Sequence, residues 1–122
     1  MTSPVTVTEY RTFDQAALLE KLGGDREFVR SLLGVALRSN GNLPTELRDA
    51  CAVADFARLA RLAHKVKGTA GDLVAATLQS RAREAELAAR ASGPDAIGLN
   101  LGLADTLDEF LDELRSAAAR ND

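Results

Sequence analysis

Hydrophobic residues recur at helical spacing along most of this chain, and no segment alternates polar and apolar residues as a strand would. Gly23 and Gly24 are expected to stop a short first helix. The next element is expected to run as one long helix, kinked or interrupted near Pro44, because its apolar spacing resumes beyond the proline. The predicted helices cover residues 14–22, 25–53, 55–70, 75–91 and 95–119.

This pattern predicts an all-α fold, an antiparallel four-helix bundle with a short additional N-terminal helix. Residues 1–11 are polar and β-branched, and we expect them to form a flexible N-terminal segment. Residues 12–119 are expected to form the bundle. The chain has 122 residues, 46% of them hydrophobic, which suits a single globular domain.

Charge and composition exclude several classes of protein. A net charge of -3 with a pI near 5.2, and no basic stripe with aromatic residues, indicate that no nucleic acid is bound. No apolar stretch approaches the roughly 18 residues that span a membrane, and the N-terminus lacks signal-peptide features. Together with the single Cys51, this predicts a cytoplasmic protein without direct membrane contact. A monomer is expected because one bundle can bury the apolar stripes. The Ala- and Arg-rich usage suggests a bacterial source.

The candidate chemistry lies in the helix that follows Asp55. At about 100 degrees per residue, the apolar positions of this helix fall on the side opposite His64, so the imidazole points away from the core. Arg61 and Lys67 flank the histidine on opposite sides. The core positions are Leu59, Leu62, Ala63, Val66, Ala70 and Leu73. The small residues that share the face of His64 are Ala57, Ala60, Gly68, Gly71 and, if the helix continues that far, Ala75.

An exposed imidazole is a competent nucleophile near neutral pH, and a phosphoryl group on its ring would be offset by Lys67 and Arg61. Gly68 and Gly71 would each cost about 1 kcal/mol in mid-helix, so close approach is expected there, either of a partner or of the adjacent helix. The spacing alone equally allows an ordinary surface histidine. A metal site is disfavoured because there is no second histidine.

The run Leu62-Ala63-His64-Lys65-Val66-Lys67-Gly68-Thr69-Ala70 closely resembles the signature of histidine phosphotransfer (Hpt) domains, which act in multistep two-component phosphorelays. Phe13-Asp14 and the run from Leu22 to Phe28 also resemble the opening of such domains. The resemblance extends from about Phe13 to Leu114.

The resemblance implies that His64 carries the phosphoryl group, at Nε2, that Lys67 stabilises its charge and that Gly68 keeps space clear. A receiver domain would phosphorylate His64, and a second receiver's aspartate would accept the group. Ala60, Arg61, Gly68 and Gly71 are expected to contact these partners. The chain would then be no enzyme in its own right, without ATP binding, metal or other cofactor, since Mg²⁺ is expected on the receiver only.

Three alternatives remain at this stage. A histidine-kinase dimerisation domain is disfavoured, because Lys65 and Gly68 stand where that family has an acidic residue and a proline. A helical adaptor whose histidine is not phosphorylated would share the same surface. The chain could also be the Hpt domain of a larger hybrid sensor kinase.

One departure from the family is Val74, where Hpt domains usually have glycine. Because of this departure, the resemblance does not fix the residue at which the third predicted helix ends.

Overall fold

The computed structural model describes residues 9–120, and within that range every regular element is an α-helix. The short α1 precedes α2 and α3, and three longer helices follow. Their bounds are α1 Gln15–Lys21, α2 Arg26–Asn40, α3 Leu43–Ala52, α4 Phe56–Asp72, α5 Ala76–Arg90 and α6 Ala96–Ala119.

The prediction of an antiparallel four-helix bundle with a short N-terminal helix is confirmed. Helices α2 and α3 together make the first long element, which is interrupted only at Gly41 and Asn42. Both residues keep right-handed helical torsions, so the interruption is confined to these two positions. Pro44 lies in the first turn of α3, where its missing N–H removes no helical hydrogen bond.

Helix α6 is the central support of the bundle, since it packs against α2, α3 and α5. Among its 24 residues, Phe110 and several leucines are buried in the core. Helix α4 packs along α5, whose buried residues include Ala82, Ala85 and Ala89. Small side chains allow two helix backbones to lie close together. No helix in the described part of the chain is long and apolar enough to cross a bilayer.

The core face predicted for α4 is largely confirmed. Leu59, Ala63, Val66 and Ala70 are buried, whereas Leu62 is only half-buried. Ala75 was expected on the face of His64 only if the helix continued that far. It does not, because α4 ends at Asp72 and Ala75 is the buried N-cap residue of α5.

Four helices end in the same motif, in which the residue after the C-cap takes a left-handed conformation. After α1 this residue is Gly23, with φ 73°. After α3, α4 and α5 it is Ala54, Val74 and Ser92, with φ values of 51°, 55° and 47°. Val74 thus adopts the conformation for which glycine is the usual residue, and its amide still closes the turn on the carbonyl of Gly71.

Residues 9–14, which we call the N-terminal strap, are held against α6. The carboxylate of Glu113 accepts hydrogen bonds from the amides of Arg11 and Thr12 at 3.0 and 2.8 Å and from the Thr12 hydroxyl at 2.6 Å. Phe13 is buried edge-on against Phe110. The first eight residues of the segment predicted to be flexible lie outside the described residues.

Replacing Ser92 by glycine should stabilise the fold. Residues with a side chain pay about 1–2 kcal/mol in the left-handed region. Glycine avoids this cost, and the larger entropy of its unfolded chain offsets only part of the gain. We expect the free energy of unfolding of Ser92→Gly to rise by about 1 kcal/mol in urea titrations.

The matched control is Ser31→Gly, the same chemical change at an exposed site in the middle of α2. There the free energy of unfolding should fall by about 0.5 kcal/mol, because glycine is the poorer helix former. A decrease in both variants would show that the turn after α5 does not need the left-handed conformation.

Candidate functional site

His64 lies near the middle of α4, and its side chain is 63% exposed, as the helical spacing predicted. Asp55 caps the N-terminus of α4 by accepting a hydrogen bond from the amide of Arg58. A Cβ added at Gly68, one turn after His64, would meet no atom within 4 Å. The side of the imidazole towards Gly68 is therefore open to an approaching molecule.

Glu86 of α5 is the partner that holds the histidine. Its side chain is only 6% exposed, and its Oε2 lies 3.0 Å from Nδ1 of His64. Lys67 donates to Oε1 at 2.7 Å, and Arg90 donates to Oε2 through Nε and Nη2 at 3.0 and 2.6 Å. One buried carboxylate thus binds three basic side chains of α4 and α5.

The cations around Glu86 keep it ionised. The hydrogen bond from Lys67 has the largest effect and, with those from Arg90 and His64, lowers the pKa of Glu86 to about 2 against the opposing effect of burial. The carboxylate is therefore an obligate acceptor at neutral pH, and Nδ1 of His64 must carry the proton between them. In the neutral ring, Nε2 then bears the lone pair, and it is the nitrogen available for attack.

Two hydrogen bonds from α4 to the end of α2 fix the rotation of α4 about its axis. The hydroxyl of Thr69 donates to Oδ1 of the buried Asn40 at 3.3 Å, and Lys65 donates to the carbonyl of Ser39 at 3.1 Å. Asn40 also donates to the carbonyl of Ala36. Because His64 belongs to the same rigid helix, these bonds set the direction in which its ring projects.

The residues predicted to surround His64 divide into two groups. Lys67 and Gly68 lie beside it as expected, and Arg61 is exposed one turn earlier. A Cβ at Gly71 would lie 2.7 Å from the side-chain nitrogen of Gln79, so the body that approaches Gly71 is α5 of the same chain. Whether these residues contact a partner stays a prediction.

Ala60 corrects the predicted exposed face. It is only 6% exposed and lies in the wall of a groove between α4 and α5, together with Ala57 and Ala89. Helical spacing describes α4 as an isolated helix, and it contains no information that α5 covers this side. Ala60 therefore belongs to the wall of this groove and not to the exposed rim of the surface beside His64.

Glu86 and Arg90 were not identified from the sequence. The available signal is the position of Glu86, which interrupts the alanine face of α5 formed by Ala82, Ala85 and Ala89. A carboxylate at a buried position of an amphipathic helix requires a cation or a donor nearby. In residues 9–120, no three His, Cys, Asp or Glu side chains are grouped closely enough to hold a metal ion.

The fold and the site define a class: a helical bundle that presents one histidine, with one ring nitrogen bound by a carboxylate and the other facing solvent. A family model described as "Hpt domain" matches residues 31–120, from the middle of α2 to the end of α6. The chain therefore belongs to the Hpt family, whose members are histidine phosphotransfer modules of phosphorelays without kinase activity of their own. Comparisons with curated proteins and with solved structures yielded no match.

The ion pairs of Glu86 should make part of the stability dependent on acid pH. Because the folded pKa of about 2 lies below the reference value of 4.5, ionised Glu86 stabilises the fold fully above pH 4.5, and this contribution falls away towards pH 2. Unfolding should be measured between pH 6 and pH 2 for the native protein and for Glu86→Gln. The stability difference between them should shrink across this window, and a constant difference would contradict the assignment.

The proton on Nδ1 of His64 can be observed directly. We expect ¹⁵N NMR of the neutral imidazole to show a protonated Nδ1 and an unprotonated Nε2, because Glu86 accepts only from Nδ1. In Glu86→Ala the ring should become a mixture of both tautomers. The control is Glu84→Ala, an exposed acid on the same helix, which should leave the spectrum unchanged.

Proposed function

We propose that this chain accepts a phosphoryl group on Nε2 of His64 from the aspartyl phosphate of a receiver domain and donates it to the aspartate of a response regulator. Family membership supports histidine phosphotransfer in general. The observation that carries the proposal for this residue is the pairing of a buried Glu86 with Nδ1, which leaves an exposed Nε2 as the free nucleophile.

In the first step, the Nε2 lone pair forms a bond to phosphorus while the bond from phosphorus to the aspartyl oxygen breaks, which restores the partner's carboxylate. The imidazole becomes a cation during this step, since Nδ1 keeps its proton. Glu86 stabilises that positive charge through the 3.0 Å hydrogen bond. The second step is the reverse reaction with a different aspartate.

The amine of Lys67 has two possible hydrogen-bond acceptors in this cycle: the carboxylate of Glu86 and the phosphoryl group on His64. In the unphosphorylated protein its amine is bound to Oε1 of Glu86 at 2.7 Å. A phosphoryl group on the neighbouring ring would compete for the amine, because its oxygens carry more charge than one carboxylate. Arg90 keeps two hydrogen bonds to Glu86, so the buried carboxylate stays paired when Lys67 turns away.

The receiver is expected to supply what this chain does not: the Mg²⁺ ion and the acidic residues that bind it. On this proposal the chain needs no cofactor of its own and acts in the cytoplasm as a monomer. It serves there either alone or as the cytoplasmic Hpt domain of a sensor kinase. The direction of flow between the receivers depends on which of them is phosphorylated first.

Transfer of radiolabelled phosphate from phosphorylated receiver domains tests the proposal. Wild type should gain acid-labile, base-stable label, and His64→Gln should gain none. Both proteins should show the same helical circular dichroism, because the His64 side chain is largely exposed. Failure of every receiver to label a folded wild type would favour a non-phosphorylated adaptor, and label on His64→Gln would mean that another residue is the acceptor.

A further inference from the structure

The surface between α4 and α5, which we call the α4–α5 seam, differs in charge from the rest of the molecule. Residues 56–90 contain seven lysines and arginines against three acids, whereas the remainder of the chain has eight against fifteen. The helix pair that carries His64 is therefore net positive in a protein of net charge -3, and four of its cations border the seam: Arg61, Lys67, Arg83 and Arg90. A local excess of one charge steers a partner of opposite charge towards that face.

Two of these cations bind no other group within the described part of the chain. Arg61 on α4 and Arg83 on α5 are exposed and form no hydrogen bond or ion pair there. Other arginines are paired, such as Arg48 with Asp105 and Asp108 at 2.7 Å each. The charges of Arg61 and Arg83 thus make no contact that stabilises the described part of the fold.

The two arginines lie on opposite sides of the His64–Glu86 pair. Arg61 and Arg90 border a groove whose remaining wall is mainly apolar, with Phe56, Ala57 and Ala60 in it. Lys67 and Arg83 border a second groove, which also contains Gln79 and Ser80. The volumes of the grooves are similar, about 460 and 560 Å³, so chemistry and not size distinguishes them.

We infer that Arg61 and Arg83 select an acidic receiver face and that the two unlike grooves fix its orientation across His64. The inference rests on the proposed function and adds the chemistry of the partner. The preferred receiver presents carboxylates on both sides of its phosphorylated aspartate. It also presents one apolar side chain, which occupies the groove of Phe56 and Ala60.

The spacing along the seam sets the geometry of such a partner. Residues 61 and 67 are six positions apart on one helix, which corresponds to about 9 Å along its axis. The two grooves therefore lie on either side of His64 at about this spacing along α4, and the acidic groups of the partner must flank the transferred phosphoryl group on the same two sides. Rim charges of this kind act mainly on the rate of encounter and on partner choice.

The test is single-turnover transfer of label from phosphorylated receiver domains to Arg61→Glu, to Arg83→Glu and to the double variant. The receivers are chosen in pairs, with acidic and with neutral docking faces. For an acidic receiver, the concentration needed for half-maximal rate should rise about tenfold or more in the double variant. The rate at saturation should stay within about twofold in Arg83→Glu, which has no place beside the phosphoryl group, and the salt dependence of transfer should weaken in the double variant.

Arg26→Glu is the control, because it changes the net charge equally at an exposed site on α2, away from the seam. It should leave the half-maximal concentration unchanged. Equal effects of Arg26→Glu and of the seam variants, or no effect of the seam variants, would overturn the inference while the transfer function stands. A wild type that takes label from no receiver would overturn the proposed function and this inference with it.

Discussion

Burying a carboxylate between two helices costs several kcal/mol unless cations and donors surround it, and Glu86 meets that requirement with Lys67, Arg90 and His64. The pairing joins α4 to α5 at the level of the nucleophile. It also assigns the proton of His64 to Nδ1. Stability of the seam and readiness of Nε2 for reaction therefore depend on the same four side chains.

The helical architecture could be predicted from the sequence because its determinants are local. The stripe of Leu59, Ala63 and Val66 alone indicates that His64 points outward, since a helix has one period and one axis. The capping aspartates and the interruption before Pro44 are equally local signals. Such features need no knowledge of how the helices are arranged.

Contacts between side chains of different helices could not be predicted from the sequence, because they depend on how the helices pack. Glu86 is 22 residues from His64, and their meeting depends on how far α4 and α5 slide along each other. The spacing within α4 puts Ala60 on the exposed face, whereas the neighbouring helix α5 buries it. Val74 shows a third kind of limit, since the turn after α4 keeps its hydrogen bonds although the residue is unfavourable there.

The hydrogen bonds of Asn40 and Ser39 to α4 have a consequence for association. They lock the helix in one rotational setting, so its ring and its cations form a pre-aligned pattern before any partner arrives. A surface that is already ordered loses little conformational entropy on binding. Brief encounters can then be productive, which suits a carrier that must release one partner before it meets the next.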